Sequence, residues 1–419
     1  MTTQQIIPRQ SEQLLAELIP HSPVVLIHGP RQSGKTTLAK LIGDRLGYSY
    51  YTFDNLKTLA AVQSDPTGFM YALPDRVILD EIQLAPELFR LLKLSVDRHR
   101  INGQFILTGS TNVLFLPELT DALTGRMLIV RLHPLSQVEI EQTKSIPFLD
   151  RLFTGDFRMS QSEPLGSNLA NRIVAGGYPP ALAIPVDRIR SSWYNSYVVS
   201  LVQNDISGQV NVHSPESLPS LLTAVAGLSA QLFNSSSIAS QLQMNRNTIR
   251  HYLSLLERHF LIKRLPPWYS NRMKRMIKTP KIHIGDTGLA CSVLNIDAND
   301  LQKDRNLLGR LVESFVFQEL RRQASSSSKP YKFYHFRDRY GVEADMIIEL
   351  GGSKLAGVEI KAGASIIGSD FKALRKIKAA HEDRFTFGAL LYDGELCASF
   401  GDGMFAVPIR MLWETDSKP

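Results

Sequence analysis

The hydrophobic pattern of the N-terminal third of the chain combines two periodicities. Between residues 24 and 138, short apolar runs of strand length alternate with stretches in which apolar residues recur at helical spacing. Helices that alternate with short, wholly apolar strands are typical of a parallel sheet covered on both faces. The pattern therefore predicts an α/β domain whose strands are VVLIHG, YYTFD, RVILDEI, QFILTGS and MLIVRL.

The pattern changes after residue 140. GGYPPAL, residues 176–182, forms a turn that opens a helical region, and the following segment predicts a helix, a tight turn, a second helix and a strand. The amphipathic helix GRLVESFVFQELRRQ then precedes another series of strands. We predict an α/β domain at residues 1–140, a helical lid or connector at 141–230, a winged-helix (helix-turn-helix) segment at 231–285 and a C-terminal α/β domain at 286–419.

The composition indicates the class of protein and its cellular compartment. Of 419 residues, 43% are hydrophobic and 21% are charged, which is ordinary for a globular protein of several domains. No apolar run approaches the roughly 20 residues of a membrane helix. The two cysteines provide neither a disulfide framework nor a cysteine zinc site. We expect a cytoplasmic protein that does not associate with a membrane.

A glycine-rich loop follows the first predicted strand. GPRQSGKT, residues 29–36, fits the pattern G-x-x-x-x-G-K-[ST] and leads into a helix, so backbone N–H groups can surround phosphate groups. Lys35 would reach the β- and γ-phosphates, and the Thr36 hydroxyl would ligate Mg²⁺. We expect ATP to bind at Gly29, Pro30, Arg31, Gln32, Ser33, Gly34, Lys35, Thr36 and Thr37.

Two acids follow the third predicted strand, in RVILDEI. At the carboxyl end of a buried strand, Asp80 would hold the magnesium ion and Glu81 would polarise the attacking water. The next strand, QFILTGS, ends in hydroxyl groups, and Thr108 or Ser110 could sense the γ-phosphate. Ser110 is included among the catalytic candidates, although the sequence leaves the choice between the two open.

Arg126, in LTGRM, is a candidate arginine finger. An arginine that reaches a phosphate stabilises the charge of the transition state, and it usually acts on the neighbouring subunit. This interpretation implies a homo-oligomer, such as a hexameric ring. The alternative is a structural arginine that pairs with a carboxylate.

Together these motifs resemble a known family. GPRQSGKTT, TFDN, DPTGFM, VILDEIQLAPEL, FILTGSTN, LTGRM and HPLSQVE are similar to segments of the bacterial and archaeal AAA-type ATPases that carry an uncharacterised C-terminal domain. GGYPPAL, KIHIGDTGLA and LVESFVFQEL extend the resemblance over nearly the whole chain. It implies an ATPase with a winged-helix segment and a C-terminal nuclease-like fold.

Basic residues are concentrated in one segment. Residues 246–281 contain ten Lys or Arg and one acid, a net charge of +9 against +7 for the whole chain, so the remainder sums to −2. Such an excess is typical of a nucleic-acid footprint. In a helix-turn-helix, the start of the second helix contacts DNA, and the run from Arg272 to Lys281 could form a wing. The candidates are Arg246, Asn247, Thr248, Arg250, Arg272, Lys274 and Arg275. The alternative is a module for dimerisation or a ring lid.

Carboxylates in the C-terminal region form a second candidate site. Glu313 lies on the amphipathic helix, Asp345 lies in VEADMIIEL, and Glu359 and Lys361 lie two apart in GVEIKAG, so they leave the same face of a strand. The arrangement resembles the PD-(D/E)XK nuclease core, in which carboxylates bind Mg²⁺ and a lysine assists the nucleophilic water. The alternatives are an ordinary sheet edge and a nuclease fold that binds DNA without cleaving it.

We therefore expect an α/β chain with an N-terminal P-loop ATPase, a helical and winged-helix middle and a restriction-endonuclease-like C-terminal domain. The leading hypothesis is an enzyme that binds ATP and Mg²⁺, hydrolyses ATP and acts on DNA as a motor or remodeller. Whether it is also a nuclease stays open. The alternative is a nucleotide-gated switch that docks a protein partner and uses the other domains for assembly.

Overall fold

The chain folds into two compact units in a computed structural model, which describes residues 6–110, 117–206, 217–269 and 279–414. The units are Met1–Leu135 with Arg258–Phe260 and Ser325–Ser328, and Ser136–Glu257 with Leu261–Ala324 and Lys329–Pro419. Within the described ranges, no helix combines the length and apolarity that crossing a membrane requires.

A five-stranded sheet forms the centre of the first unit. Its strands are β1 (Val24–His28), β2 (Ser49–Thr52), β3 (Val77–Asp80), β4 (Phe105–Gly109) and β5 (Met127–Arg131). They run parallel in the order β2-β3-β4-β1-β5. The helices of this unit are α1 (Ser11–Leu18), α2 (Lys35–Leu46), α3 (Leu56–Ser64), α4 (Pro66–Ala72), α5 (Leu88–His99) and α6 (Pro117–Leu123).

Both faces of this sheet are covered, as the continuous apolar runs predicted. Every residue of β1, β3 and β4 is buried. Successive residues of a strand point to opposite faces, and Val24 and Leu26 accordingly belong to one hydrophobic cluster while Val25 and Ile27 belong to another. Because all five strands are parallel, their carboxyl ends meet at one edge of the sheet. The loop before α2 and the acids at the end of β3 lie at this edge.

The second unit begins with a helical region. Its helices up to residue 258 are α7 (Gln137–Glu141), α8 (Phe148–Thr154), α9 (Ser167–Ala175), α10 (Pro179–Leu182), α11 (Asp187–Ser200), α12 (Ser217–Gly227), α13 (Ser235–Gln241) and α14 (Arg246–Arg258). The later helices are α15 (Thr287–Leu294), α16 (Ala298–Lys303), α17 (Arg305–Ser325) and α18 (Lys372–Ala380).

Two sheets complete the second unit. An antiparallel sheet of order β7-β9-β8 consists of β7 (Gln231–Leu232), β8 (Ile262–Leu265) and β9 (Lys281–Ile284). A mixed seven-stranded sheet has the order β10-β11-β12-β13-β15-β14-β6. Its strands are β6 (Ser160–Gln161), β10 (Tyr331–Arg337), β11 (Glu343–Leu350), β12 (Lys354–Lys361), β13 (Phe385–Tyr392), β14 (Leu396–Ser399) and β15 (Met404–Pro408).

One hydrophobic core runs through all parts of the second unit. It includes Tyr194 from the helical region, Ile238 and Ile282 from the segment with β7–β9, and Phe315 and Trp413 from the C-terminal part. The α/β fold class is confirmed, with an N-terminal parallel sheet, a helical middle and a C-terminal sheet domain. The winged helix stays a prediction, because residues 270–278 lie outside the described part of the chain.

Candidate functional site

The glycine-rich loop connects β1 to α2 in a conformation that two glycines permit. A Cβ atom on Gly29 would lie 1.9 Å from the backbone oxygen of Leu132, so only glycine fits there. Gly34 has a φ of 95°, a left-handed conformation that strongly favours glycine, and it immediately precedes the first residue of α2. The loop is therefore held against the sheet, with its backbone N–H groups at the start of a helix.

Lys35 is almost completely buried, with 4% of its surface exposed. Its Nζ atom donates a hydrogen bond of 2.8 Å to the carbonyl oxygen of Pro30 in the same loop. Burial lowers the pKa of Lys35 to about 8, although Glu81 and Asp80 act in the opposite direction. An anion that replaced the Pro30 carbonyl would stabilise the charged form of this lysine.

Asp80, at the end of β3, accepts hydrogen bonds from three hydroxyl groups. Thr36 and Thr108 donate to Oδ1 at 2.9 and 2.6 Å, and Tyr50 on β2 donates to Oδ2 at 2.7 Å. The structure thus brings Thr36 and Asp80 together, as the sequence predicted. Hydroxyl and carboxylate oxygens are the ligands that Mg²⁺ prefers, so this pair fits the metal.

Glu81 adopts a left-handed backbone conformation, with φ 57° and ψ 47°. Such a conformation is uncommon for a residue other than glycine and is often found at functional sites. The Glu81 N–H donates to the Thr108 hydroxyl at 3.0 Å, and the Glu81 Oε2 atom accepts a hydrogen bond from Ser110 at 2.8 Å. Gln83 Nε2 donates to the same Oε2 atom. The carboxylate is therefore held by two side chains.

The two hydroxyl groups at the end of β4 have different partners. Thr108 bonds to the Asp80 carboxylate and the Glu81 backbone, whereas Ser110 bonds to the Glu81 side chain. Ser110 is therefore the hydroxyl residue that contacts the carboxylate expected to polarise water. Its sensing of a γ-phosphate stays a prediction.

Arg126 lies at the opposite edge of the sheet. It precedes β5, whose register aligns Met127 with Val24 and Arg131 with His28, so about 16 Å of strand separates Arg126 from the edge with the glycine-rich loop. Arg126 forms a bidentate pair with Asp97, at 2.6 and 3.0 Å. This is the carboxylate pairing of the alternative interpretation, and Arg126 takes no part in the nucleotide site of its own chain.

Sequence reasoning missed three residues of this site. Tyr50 supports Asp80, Gln83 supports Glu81, and Arg9 donates hydrogen bonds of 2.6 Å to the carbonyl oxygens of Ser33 and His133. Gln83 lies two residues after Glu81, so the sequence alone could have identified it as a neighbour of that carboxylate. Arg9 lies far from the loop in sequence, and no local pattern points to it.

Gln83→Ala and Ser110→Ala are each expected to lower the rate constant for ATP hydrolysis while leaving ATP affinity unchanged. Each variant removes one of the two donors on Glu81 Oε2, and a misplaced catalytic group can cost up to about 100-fold in rate. Single-turnover hydrolysis and nucleotide titration measure the two quantities separately. Gln63→Ala, at an exposed position of α3, is the matched control. A loss of affinity at unchanged rate would instead assign the two residues to nucleotide binding.

The carboxylates of the second candidate site come together in the second unit, but around a lysine. The Lys281 Nζ atom, at the start of β9, lies 2.8 Å from Glu313, 2.7 Å from Glu343 and 3.2 Å from Asp345. Lys281 is 2% exposed, so it does not belong to the predicted basic wing. Glu359 adjoins this group: burial and Asp345 raise the pKa of Glu359 well above its usual value.

Two expectations for this second site are not met. Lys361, the last residue of β12, pairs at 2.6 Å with Asp370 in the short 3-10 helix Gly368–Phe371 rather than with the carboxylate group. Among the described residues, no three histidine, cysteine, aspartate or glutamate side chains are arranged to hold a metal ion. The physical reason is that the Lys281 ammonium lies among the carboxylates that the sequence had assigned to Mg²⁺.

The helix α14 presents polar residues to solvent, as the helix-turn-helix interpretation requires. Arg246, Asn247 and Arg250 are exposed and Thr248 is half-buried, while the opposite face is buried. Asn245 caps this helix by accepting from Asn247 N–H at 2.8 Å. The other DNA-binding candidates, Arg272, Lys274 and Arg275, lie outside the described residues.

Part of the basic segment is neutralised within the chain. Lys263 and Arg264 pair with Glu257 at 3.1 and 2.7 Å, and Lys281 lies in the carboxylate group. The positive charge that this segment can present to a partner is therefore smaller than the net charge counted from the sequence. In the described part of the segment, the exposed face of α14 contributes to that charge.

Three family models match the chain in succession. They describe an AAA domain at residues 21–141, a domain of unknown function (DUF8612) at 166–300 and a domain of unknown function (DUF4143) at 308–412. The first coincides with the parallel sheet and its glycine-rich loop. A solved structure, the Walker-type ATPase paby2304 of Pyrococcus abyssi, is 20% identical, with a TM-score of 0.42, and the match covers 70% of this chain and 96% of that one.

Curated relatives match over most of the chain. The uncharacterized proteins Rv2008c of Mycobacterium tuberculosis and Mb2031c of Mycobacterium bovis are each 30% identical over 415 residues, which cover 98% of this chain and 85% of theirs. An uncharacterized protein of Haemophilus influenzae is 27% identical over 324 residues, or 72% of this chain and 75% of its own. The chain therefore belongs to the family of the mycobacterial proteins, AAA-type P-loop ATPases with a C-terminal domain of unknown function.

Proposed function

We propose that this AAA-type ATPase couples ATP hydrolysis to an action on DNA, as a motor or remodeller. The glycine-rich loop, Gly29–Thr37, would bind the phosphates through its backbone N–H groups. Lys35 would exchange the Pro30 carbonyl for the β- and γ-phosphates, which satisfy its charge better than a neutral oxygen. Thr36 and Asp80 would hold Mg²⁺, and the bound metal would neutralise charge on the phosphates.

Glu81 would polarise the water that attacks the γ-phosphate. The hydrogen bonds from Ser110 and Gln83 fix one oxygen of its carboxylate, and the other oxygen is the one available to water. Preorganised orientation of this kind lowers the barrier without cost at the moment of reaction. The single observation that carries the ATPase part of the proposal is the joint placement of Lys35, Asp80 and Glu81 at one edge of the sheet.

The observation that supports DNA as the partner is the composition of the exposed face of α14. Arg246 and Arg250 are one helical turn apart and therefore lie on the same face, and Asn247 lies beside them. Arginine and asparagine are the side chains that pair most often with phosphates and with guanine and adenine edges. The fold of the second unit would hold this helix rigidly, because its opposite face is part of the hydrophobic core.

The proposal includes a homo-oligomer, such as a hexameric ring. The sequence basis for this oligomer is Arg126, the candidate arginine finger. Arg126 pairs with Asp97 at the edge of the sheet opposite the nucleotide site. The mass of the protein in solution with and without ATP measures the assembly directly. A monomer under both conditions would restrict the proposal to a single-subunit ATPase.

The test is ATP hydrolysis with and without single-stranded, duplex and branched DNA. We expect one DNA form to raise the rate, and binding to that form to weaken steeply with salt. Arg246→Ala/Arg250→Ala should reduce the salt slope by about 2 and abolish the stimulation. Lys57→Ala/Lys303→Ala removes two exposed charges elsewhere and is the matched control.

A rate that ignores every DNA form would favour the alternative, a nucleotide-gated switch that docks a protein partner. In that case Arg246→Ala/Arg250→Ala would leave the function of the protein unchanged. Binding of DNA without any change in the rate of ATP hydrolysis would show that the protein contacts DNA but does not couple hydrolysis to it. This result would contradict the motor hypothesis.

A further inference from the structure

The carboxylate group of the second unit already contains a cation. We define this group, the acid cluster, as Glu313 on α17, Glu343 and Asp345 on β11, and Glu359 on β12. Glu343 and Asp345 lie two apart on one strand, so their side chains leave the same face of the sheet. Lys281 enters the cluster from a different sheet, at the first residue of β9.

Lys281 Nζ donates hydrogen bonds to Glu313 and Asp345 and forms an ion pair with Glu343. An ammonium group has three N–H donors, and Lys281 Nζ lies within 3.2 Å of oxygens from three different carboxylates. The three acids remain partly accessible, with 14 to 28% of their side chains exposed, whereas Lys281 is 2% exposed. The cation thus lies at the bottom of the cluster, where it contacts an oxygen from each of these acids.

The charges of the cluster do not balance with one lysine. Arg337 pairs with the second oxygen of Glu343 at 2.9 Å, so two cations face four carboxyl groups. Burial and the neighbouring Asp345 raise the pKa of Glu313 to about 8, which lets a proton relieve part of the excess. Burial disfavours the charge of Lys281, yet Glu313, Asp345 and Glu343 raise its pKa well above the usual value. Lys281 therefore stays charged at any physiological pH.

We propose that the Lys281 ammonium replaces a divalent cation in the nuclease-like domain, so that this domain binds no metal at the acid cluster and performs no metal-dependent cleavage of DNA. The position is the one that a metal would take, because it contacts Glu313, Asp345 and one further carboxylate. Oxygen ligands lie at 2.3–2.6 Å from Ca²⁺ and about 2.0–2.1 Å from Mg²⁺. The ammonium and a metal at this position exclude each other. The inference is independent of the proposed action on DNA.

A direct consequence is that one substitution should create a metal site. Lys281→Met keeps the length of the side chain but removes its charge, and it leaves carboxylate oxygens from three elements facing each other. A divalent cation would then supply the charge that the lysine provided. We expect this variant to bind one Mn²⁺ per chain with a dissociation constant of about 1 mM or tighter, the range of weak oxygen-ligand sites.

The experiment is a titration of nucleotide-free protein with Mn²⁺, followed by electron paramagnetic resonance. All proteins carry Asp80→Asn, which removes the proposed metal ligand of the nucleotide site. The expected result is no bound Mn²⁺ without a further change, one bound Mn²⁺ with Lys281→Met, and loss of that ion in Lys281→Met/Asp345→Asn. Lys361→Met, which removes the lysine paired with Asp370, is the matched control and should bind none.

Several results would overturn the inference. One is a Mn²⁺ ion that binds while Lys281 is intact and is lost with Glu313→Gln or Asp345→Asn. Another is Mn²⁺-dependent cleavage of DNA by the unmodified chain that the same substitutions abolish. A folded Lys281→Met protein without bound Mn²⁺ would contradict it as well. If Lys281→Met does not fold, the titration of the protein with Lys281 intact decides alone, because a bound ion contradicts the inference and its absence supports it.

Discussion

Glu81→Gln is expected to lower the rate of ATP hydrolysis by about 100- to 10,000-fold, which is the usual contribution of a positioned general base. The amide keeps the size of the side chain, but it cannot take a proton from water. Its oxygen can still accept the hydrogen bonds that Ser110 and Gln83 donate to Glu81. The fold and the loop that binds the phosphates should therefore be unaffected, and ATP should bind as tightly as before.

Hydrolysis and binding have to be measured separately for this variant. Phosphate release gives the turnover, and titration with a fluorescent nucleotide gives the affinity. Glu87→Gln, an exposed glutamate just before α5, is the matched control and should turn over normally. Lys35→Ala should show the complementary result, a loss of ATP affinity. Turnover of the Glu81→Gln protein within about threefold of the unmodified protein would exclude Glu81 as the base, since a base contributes at least about 100-fold.

Asp286→Ala is expected to lower the free energy of unfolding of the second unit by about 3–5 kcal/mol. The substitution leaves three buried backbone N–H groups without this acceptor, at about 1–3 kcal/mol each, and it removes one of the two carboxylates that pair with Arg322. Asp286 is 1% exposed and accepts hydrogen bonds from the N–H groups of Gly177, Gly288 and Leu289 at 2.9, 3.0 and 3.3 Å. It also lies 3.4 Å from the buried guanidinium of Arg322. Alanine would leave all these donors without this acceptor.

The three tryptophans make this loss measurable in the intact chain. Trp193, Trp268 and Trp413 all belong to the second unit, so their fluorescence follows the unfolding of that unit alone. Asp297→Ala removes a helix cap of the same kind at an exposed position of α16 and should cost about 1 kcal/mol. Equal losses for the two variants would contradict the larger cost expected for the buried contacts of Asp286.

The Asp286 contacts also explain two motifs of the sequence. GGYPPAL and KIHIGDTGLA are distant along the chain, but the Asp286 carboxylate of the second motif accepts from the Gly177 N–H of the first. Their specific residues serve to join the helical region to β9 and α15. Part of the resemblance to the family therefore rests on residues that stabilise the fold through their contacts.

Local patterns predicted the parts of the molecule that depend on neighbouring residues. The apolar runs located all five strands of the first unit, and the glycine-rich loop and the acids after β3 lie at the expected edge of the sheet. Each of these features depends on residues that are close together in the sequence.

Residues whose environment depends on distant segments were predicted less well. Lys281 was counted with the basic segment, whereas its partners lie 32 and more residues away, on α17 and β11. For Arg126 the sequence left open an arginine finger and a structural pairing, because its partner Asp97 follows from the packing of α5 and not from any motif. The sequence around a charged residue does not indicate whether its partner is water, a ligand or a buried side chain.

The short strand β6 has a consequence for any attempt to dissect the protein. Ser160 and Gln161 come from the helical region but form an edge of the seven-stranded sheet, where they pair with Cys397 and Leu396 of β14. A fragment that begins at residue 286 or 308 would lose this edge and also Lys281, which contacts three carboxylates of the acid cluster. Residues of both stretches matched by the models of unknown function also belong to one hydrophobic core. We therefore expect a recombinant C-terminal fragment to be less stable than the same residues in the intact chain.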